Sequence, residues 1–345
     1  MRIFFYVIFC FLFFCSCNVN NKKESSKSVE RISVNPIFLT NELLSNLPGT
    51  LLVYEKEIAW LNHSSLEGFV SIFDKQTGDE ITSFGRIGEG PEEVFTPQLA
   101  KGVNNSIIVY DLNSYKVLFY SLDSLLNGNK MLFNVEKWEE MQQKLRLIQV
   151  DSTSYVLFGT EDNKPFLFLN NNNKSYFGHY PIKHSDEISN RMSIFQGVVS
   201  YNSHKQYLLY SVGGMSYLAL YEYANGMFNQ KWEKHLSEVE YTITNNKMKI
   251  TKTPKYAPTA LCLTKDYIVT IERDKENATP LPPKKTKGRD FSRAPQTLFV
   301  YDYDMNLLKI VNLGLPVLSV ASDDLNNDVF FIGADPELCL GKCAI

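Results

Sequence analysis

The 345-residue sequence predicts an all-β fold, a six-bladed β-propeller with about four antiparallel strands per blade. Three observations predict it. An apolar strand followed by a polar turn and a second apolar strand recurs along the chain. Its copies end at Phe73, Tyr120, Leu169 and Tyr221, which are 47, 49 and 52 residues apart, and a period near 50 with several strands per unit is that of propeller blades. The composition, 44% hydrophobic and 13% aromatic, supplies the large side chains that fill the space between stacked sheets.

Met1-Arg2 opens the chain with a positive charge, and Ile3 to Phe14 is an unbroken apolar run. A membrane-spanning helix needs about 20 apolar residues, so this run fits the core of a signal peptide. Ser16-Cys17 follows it. A small residue before a cysteine resembles the bacterial lipobox, which implies a signal peptide over 1–16 and a lipid on Cys17. Residues 17–30 are polar, rich in Asn, Lys and Ser, and read as a flexible tether. The propeller is expected over 31–345. Arg31-Ile-Ser-Val34 stands alone as a short strand and is expected to close the last blade.

The blades follow in order. Phe69–Asp74 returns through Glu80–Phe84; Lys116–Ser121, Pro165–Asn170, Tyr217–Glu222 and Thr297–Asp302 repeat the unit. Asp, Asn and Gly after each strand tolerate the positive φ of hairpin turns. Other strands precede these, such as Asn105–Asp111, Gln206–Tyr210, Asp266–Ile271 and Asp328–Ile332. The step from Tyr221 to Tyr301 is 80 residues, and two polar stretches, 241–254 and 274–296, account for the excess. A sixth unit begins at Pro316–Val320, and the chain stops where its fourth strand is due, which leaves an edge for the N-terminal strand to cover. Two inserts carry helical spacing: Glu136–Leu145, with Trp138, Met141 and Leu145 on one face, and Ser185–Met192.

Between the first two units lies Phe84-Gly-Arg-Ile-Gly-Glu-Gly-Pro-Glu-Glu-Val-Phe-Thr-Pro97. Its glycines have Gly-x-x-Gly-x-Gly spacing and Pro91 follows them, so it is a tight connector and not a dinucleotide fingerprint. The lipobox, the six-fold rhythm, this connector and the late Asp335-Pro336-Glu337 together resemble the TolB-like six-bladed propeller lipoproteins of Bacteroidetes. Glu92 stands where that family has Gly. The resemblance spans the whole mature chain and implies an outer-membrane lipoprotein; it implies no activity.

The formal net charge of −3 provides no basic field for nucleic acid. No Gly-x-Ser-x-Gly elbow, His-Glu-x-x-His or Walker A motif occurs. His63, His179, His184, His204 and His235 are dispersed. Cys339 and Cys343 lie four apart, about 13 Å along one strand, too far for a disulfide. Asp302–Asn306 and Asp323–Asp328 are acidic turns without the spaced Gly and final Glu of a calcium loop. Arg273–Gln296 is the most unusual segment, with seven Lys or Arg and four prolines, three of them at Pro280, Pro282 and Pro283, suited to contact with an acidic ligand, an anionic membrane surface or a partner.

These features lead to a reading without catalytic residues, cofactor or metal: a lipid-anchored cell-envelope propeller serving as a binding or assembly module. Its partners are the membrane, through the lipid, and an envelope protein or small ligand at one propeller face. Arg86, Glu89 and Glu92 of the connector and Arg273 of the fifth unit are the candidate ligand-binding residues, Arg86 because a guanidinium can hold a carboxylate in two parallel hydrogen bonds. The alternative is a calcium-dependent lactonase or esterase with carboxylates meeting in the channel.

Overall fold

The computed structural model describes residues 29–130, 132–159, 162–171, 173–272, 290–291 and 293–345. Two short strands come first, β1 (Glu30–Ser33) and β2 (Ile37–Leu43). Blade 1 is then β3 (Leu51–Val53), β4 (Glu57–Leu61), β5 (Glu67–Asp74) and β6 (Glu80–Arg86). Blade 2 is β7 (Pro97–Gly102), β8 (Ser106–Asp111), β9 (Lys116–Ser121) and β10 (Asn134–Lys137), with helix α1 (Leu122–Leu126) between its last two strands. Blade 3 is β11 (Lys144–Gln149), β12 (Ser154–Gly159), β13 (Phe166–Asn170) and β14 (Asn173–Phe177). After helix α2 (Arg191–Phe195), blade 4 is β15 (Val198–Asn202), β16 (Tyr207–Val212), β17 (Tyr217–Ala224) and β18 (Met227–His235).

A separate hairpin, β19 (Glu240–Thr244) and β20 (Lys247–Lys252), leads to blade 5: β21 (Ala260–Leu263), β22 (Ile268–Ile271), β23 (Thr297–Tyr301) and β24 (Leu307–Asn312). Blade 6 is β25 (Val317–Ala321), β26 (Asp328–Ala334) and β27 (Leu338–Ala344). Each blade is an antiparallel meander. The fold expected from the repeat is therefore the fold observed.

Blade 6 is completed by an N-terminal strand, but not by the one expected. The pairing partner of β27 is β2, antiparallel, with Ile37 opposite Lys342 and Leu43 opposite Leu338. Arg31–Ser33 instead lies parallel to β24 as a fifth strand on blade 5, and the Val34 amide extends the ladder to the Asn312 carbonyl at 3.0 Å. Packing decides between the two strands. Ile32 and Val34 reach the apolar cluster of Val311 and Leu313, whereas Leu39 and Leu43 reach the cluster of Trp60, Phe73 and Phe330 between blades 6 and 1.

Glu136–Leu145 is not a helix. It contributes the end of β10, one 3-10 turn (Glu139–Met141) and the start of β11. Trp138 and Met141 do share a face and pack on the seam of blades 2 and 3; the spacing was a single turn's worth. Ser185–Met192 likewise divides into a 3-10 turn (Ser185–Glu187) and the first residues of α2, with His184 in the left-handed region at φ 55°. The polar stretch 241–254 forms the β19–β20 hairpin and docks on this insert: the Asn190 amide donates to the Met248 carbonyl and its oxygen accepts from the Met248 amide, both at 2.9 Å.

The middle strands of the blades are sealed on both faces; β8 is buried at all six positions. Between blades 3 and 4 the filling is aromatic. Phe166 is fully buried, with the rings of Phe177, Tyr210, Phe158 and Tyr221 centred 4.9, 5.4, 5.6 and 5.8 Å away. Cys262, Cys339 and Cys343 are free and buried, the last two on the same strand, β27.

Candidate functional site

The first strand of every blade faces the axis, and together the six line one cavity of about 670 Å³. The meander topology puts the strand-1-to-strand-2 turn of each blade at one end of this channel and the inter-blade connectors at the other. The turn end gathers the charge. Its lining includes Tyr54 and Glu55 of blade 1, Lys101 of blade 2, Tyr201, Ser203 and His204 of blade 4, and Asp323 and Asp324 of blade 6.

Asp323 and Asp324 have different environments although they are neighbours. The Asp323 carboxylate is paired with Lys75 of blade 1, and the two side chains are 1% and 11% exposed. It also accepts from the Leu325 amide at 3.0 Å, the Asn326 amide at 3.3 Å and the Asn326 side chain at 2.9 Å. Lys75 in turn donates to the Tyr54 and Glu55 carbonyls at 3.1 and 3.2 Å. Burial alone raises a carboxyl's pKa, but the Lys75 ammonium and the amide donors outweigh it, and Asp323 is held below the ordinary carboxylate range. This is the first and last blade joined by a buried ion pair.

Asp324 sits in the left-handed region at φ 69°, a conformation sparsely used by residues with a side chain. Its Oδ2 accepts from the Ser203 amide at 3.2 Å and hydroxyl at 3.3 Å. Ser203 belongs to blade 4, so this contact spans the mouth past blade 5. Burial pushes the Asp324 carboxyl up, against the lowering effects of Lys101, Ser203 and His204. Lys101 feels the reverse: burial lowers its pKa, and the carboxylates of Asp324 and Asp323 raise it. Among the described residues Lys101 makes no hydrogen bond or ion pair; its ammonium lies 5.4 Å from the centre of the Tyr54 ring. Groups from blades 2, 4 and 6 thus converge at one mouth.

Arg86, Glu89 and Glu92 lie at the opposite end, exposed, and none lines the channel. The connector is shaped by residues not singled out beforehand. The Gly90 amide donates to Glu93 Oε2 at 2.9 Å, and Lys116 of blade 2 donates to the Gly90 and Glu93 carbonyls at 2.6 and 2.9 Å. Gly85 adopts φ 92° against the Phe69 ring, where a Cβ would come within 2.5 Å of Phe69. Arg273, most of the 273–296 segment and Cys17 lie outside the described residues. Among those described, no three His, Cys, Asp or Glu side chains form a metal-holding group. The acidic turns behave as turns: Asp302 Oδ1 accepts from the amides of Asp304 at 3.0 Å and Asn306 at 2.8 Å.

Sequence reading missed Lys101, Ser203, His204 and Asp324 as a group. The usable signal is their place in the repeat, since each lies at or just after the end of the innermost strand of its blade.

Similarity to known proteins supports the architecture. Among the curated proteins none matches this chain. The fold is matched by a candidate exported protein of Bacteroides fragilis, with TM-score 0.55 and 10% identity over 91% of this chain and 99% of that one. A member of the DUF4221 family from Bacteroides vulgatus matches with TM-score 0.54 and 10% identity over 90% and 94%. Regucalcin, a calcium-binding protein from Agrobacterium tumefaciens, matches with TM-score 0.54 and 8% identity over 92% and 95%. At these identities the likeness is one of fold alone. No helix among the described residues is long and apolar enough to cross a membrane. The family model for DUF5128, described as 6-bladed beta-propeller, matches residues 15–229, more than half of the sequence, and the chain belongs to that family.

Proposed function

We propose that the protein is an exported propeller of the cell envelope, of the TolB-like lipoprotein kind, anchored to the outer membrane by a lipid on Cys17, and that it binds a small ligand at the charged mouth of its channel without transforming it. The observation that carries this reading is the convergence of Lys101, Asp324 and Ser203 from three non-adjacent blades onto one cavity. Rigid blades hold these groups while the turns that bear them are free to differ, the arrangement by which scaffolds present binding residues. The three carboxylates of the mouth do not act as a cation cage, because Asp323 is committed to Lys75. At the opposite face Arg86, Glu89 and Glu92 are exposed and offer a surface for an envelope partner.

Anchoring is supported by Arg2, the apolar run and Ser16-Cys17, since several acyl chains on one residue hold a protein stably where one chain does not. Metabolic labelling with a fatty-acid analogue is expected to mark the wild type and not Cys17→Ala; equal labelling overturns the anchor. For the binding role, small molecules released from membrane-extracted protein are identified by mass spectrometry. A molecule retained by the wild type and lost from Lys101→Met supports binding. Calcium-dependent hydrolysis of lactones or esters, abolished in Asp324→Asn, overturns the reading in favour of a hydrolase.

A further inference from the structure

We infer that the channel mouth recognises a small zwitterion of the amino-acid type, its carboxylate on Lys101 and its ammonium on Asp324. This deepens the binding role proposed above and rests on it. Lys101 and Asp324 line the same cavity mouth, with the exposed Glu55 beside them, and form no ion pair with each other. An ammonium carries three donors, and among the described residues none of those on Lys101 meets a protein acceptor. Taking such a charge out of water is unfavourable unless an opposite charge or acceptors replace the lost solvent. The other cation nearby, Lys75, is already matched to Asp323.

Asp324 shows the complementary deficit. The amide and hydroxyl of Ser203 occupy Oδ2, while Oδ1 accepts no hydrogen bond from the described residues. Lys101 extends from β7 of blade 2, and Asp324 follows β25 of blade 6 in a left-handed conformation, its carboxylate held by Ser203 of blade 4. The two charges therefore stand on different blades. A plain anion would gain Lys101 but be repelled by Asp324, and a plain cation the reverse; a molecule with both charges matches both groups and leaves the mouth's net charge unchanged. Tyr54 and Tyr201 beside them, and Ser200 and Ser319 further along the channel, offer aromatic and hydrogen-bonding surface to the rest of such a ligand.

The test uses the full chain solubilised from membranes in detergent and titrated calorimetrically with each of the twenty standard L-amino acids. At least one is expected to bind, and its methyl ester and its N-acetyl derivative, each lacking one charge, are expected to bind about tenfold or more weakly, the scale of a hydrogen bond to a charged group. Lys101→Met and Asp324→Asn are each expected to lose a similar factor for the parent amino acid. The derivative series uses wild-type protein, so it remains decisive if a variant melts early. No binding by any of the twenty, or equal binding of the derivatives, overturns the zwitterion. If the extracted protein instead releases a molecule with a single charge or none, and Lys101→Met does not retain it, the zwitterion falls while the binding role stands.

Discussion

Lys75→Met tests how the ring is closed. Lys75 leaves the β5–β6 turn of blade 1 and meets Asp323 on the β25–β26 turn of blade 6, so the pair joins the two ends of the propeller. Removing one partner of a buried pair costs about 3–5 kcal/mol, because the other charge is left without compensation. Asp323 would retain three N–H donors from Leu325 and Asn326, which places the expectation near the low end, about 3 kcal/mol. With an unfolding entropy of about 2.1 cal/mol/K per residue over roughly 300 residues, that is a fall in Tm of about 4–5 °C.

The pH dependence has a definite sign. In the wild type the folded Asp323 pKa is depressed, so its contribution is present above the ordinary carboxylate value, about 3.9, and is lost as pH falls through the depressed value. In Lys75→Met the buried carboxyl lacks its counter-charge and takes up a proton more readily than in the unfolded chain. The gap between the two proteins is therefore widest at neutral pH, begins to narrow as pH falls through the variant's raised carboxyl pKa, and narrows further below about pH 4 as the wild type loses its contribution. Chemical denaturation at pH 7 and at pH 4 and below, with the double variant Lys75→Met/Asp323→Asn, measures it. A gap under about 0.5 kcal/mol at pH 7, a gap that does not change with pH, or a double variant as unstable as the sum of the singles would refute the reasoning.

Three further outcomes are expected. Deleting 18–36, which removes β1, lowers Tm modestly, and deleting 18–44, which also removes β2, lowers it far more, because only the second exposes the edge of β27; scanning calorimetry compares the two, and equal losses would contradict the closure by β2. Phe166→Ala costs about 3–5 kcal/mol by chemical denaturation, as a fully buried ring surrounded by four others leaves a cavity, whereas Phe133→Ala, at a 61% exposed position, costs under about 1 kcal/mol. Asp111→Ala destabilises by about 2 kcal/mol, since the buried carboxylate accepts from the Phe95, Thr96 and Asn113 amides and the Ser114 hydroxyl; an unchanged denaturation midpoint would show that those donors find water instead.

The sequence by itself determined the repeat, and with it the number of blades, the turn chemistry and the excursions. These depend on local preferences: apolar strands, Asn, Asp and Gly at hairpins, and a period near 50 that survives insertions. It could not decide which of two short N-terminal strands reaches β27, because both are strand-like and the choice rests on which apolar faces meet across the ring seam. For the same reason Glu136–Leu145 carried helical spacing yet became a strand end, a turn and a strand start; the blade sheets on either side claim its backbone. Lys101, Ser203 and Asp324 lie more than 100 residues apart in sequence from first to second and again from second to third. No local pattern distinguishes them from ordinary turn residues. Only closure of the six blades brings these chain segments to one axis, where burial and the left-handed turn at Asp324 give them a shared electrostatic environment.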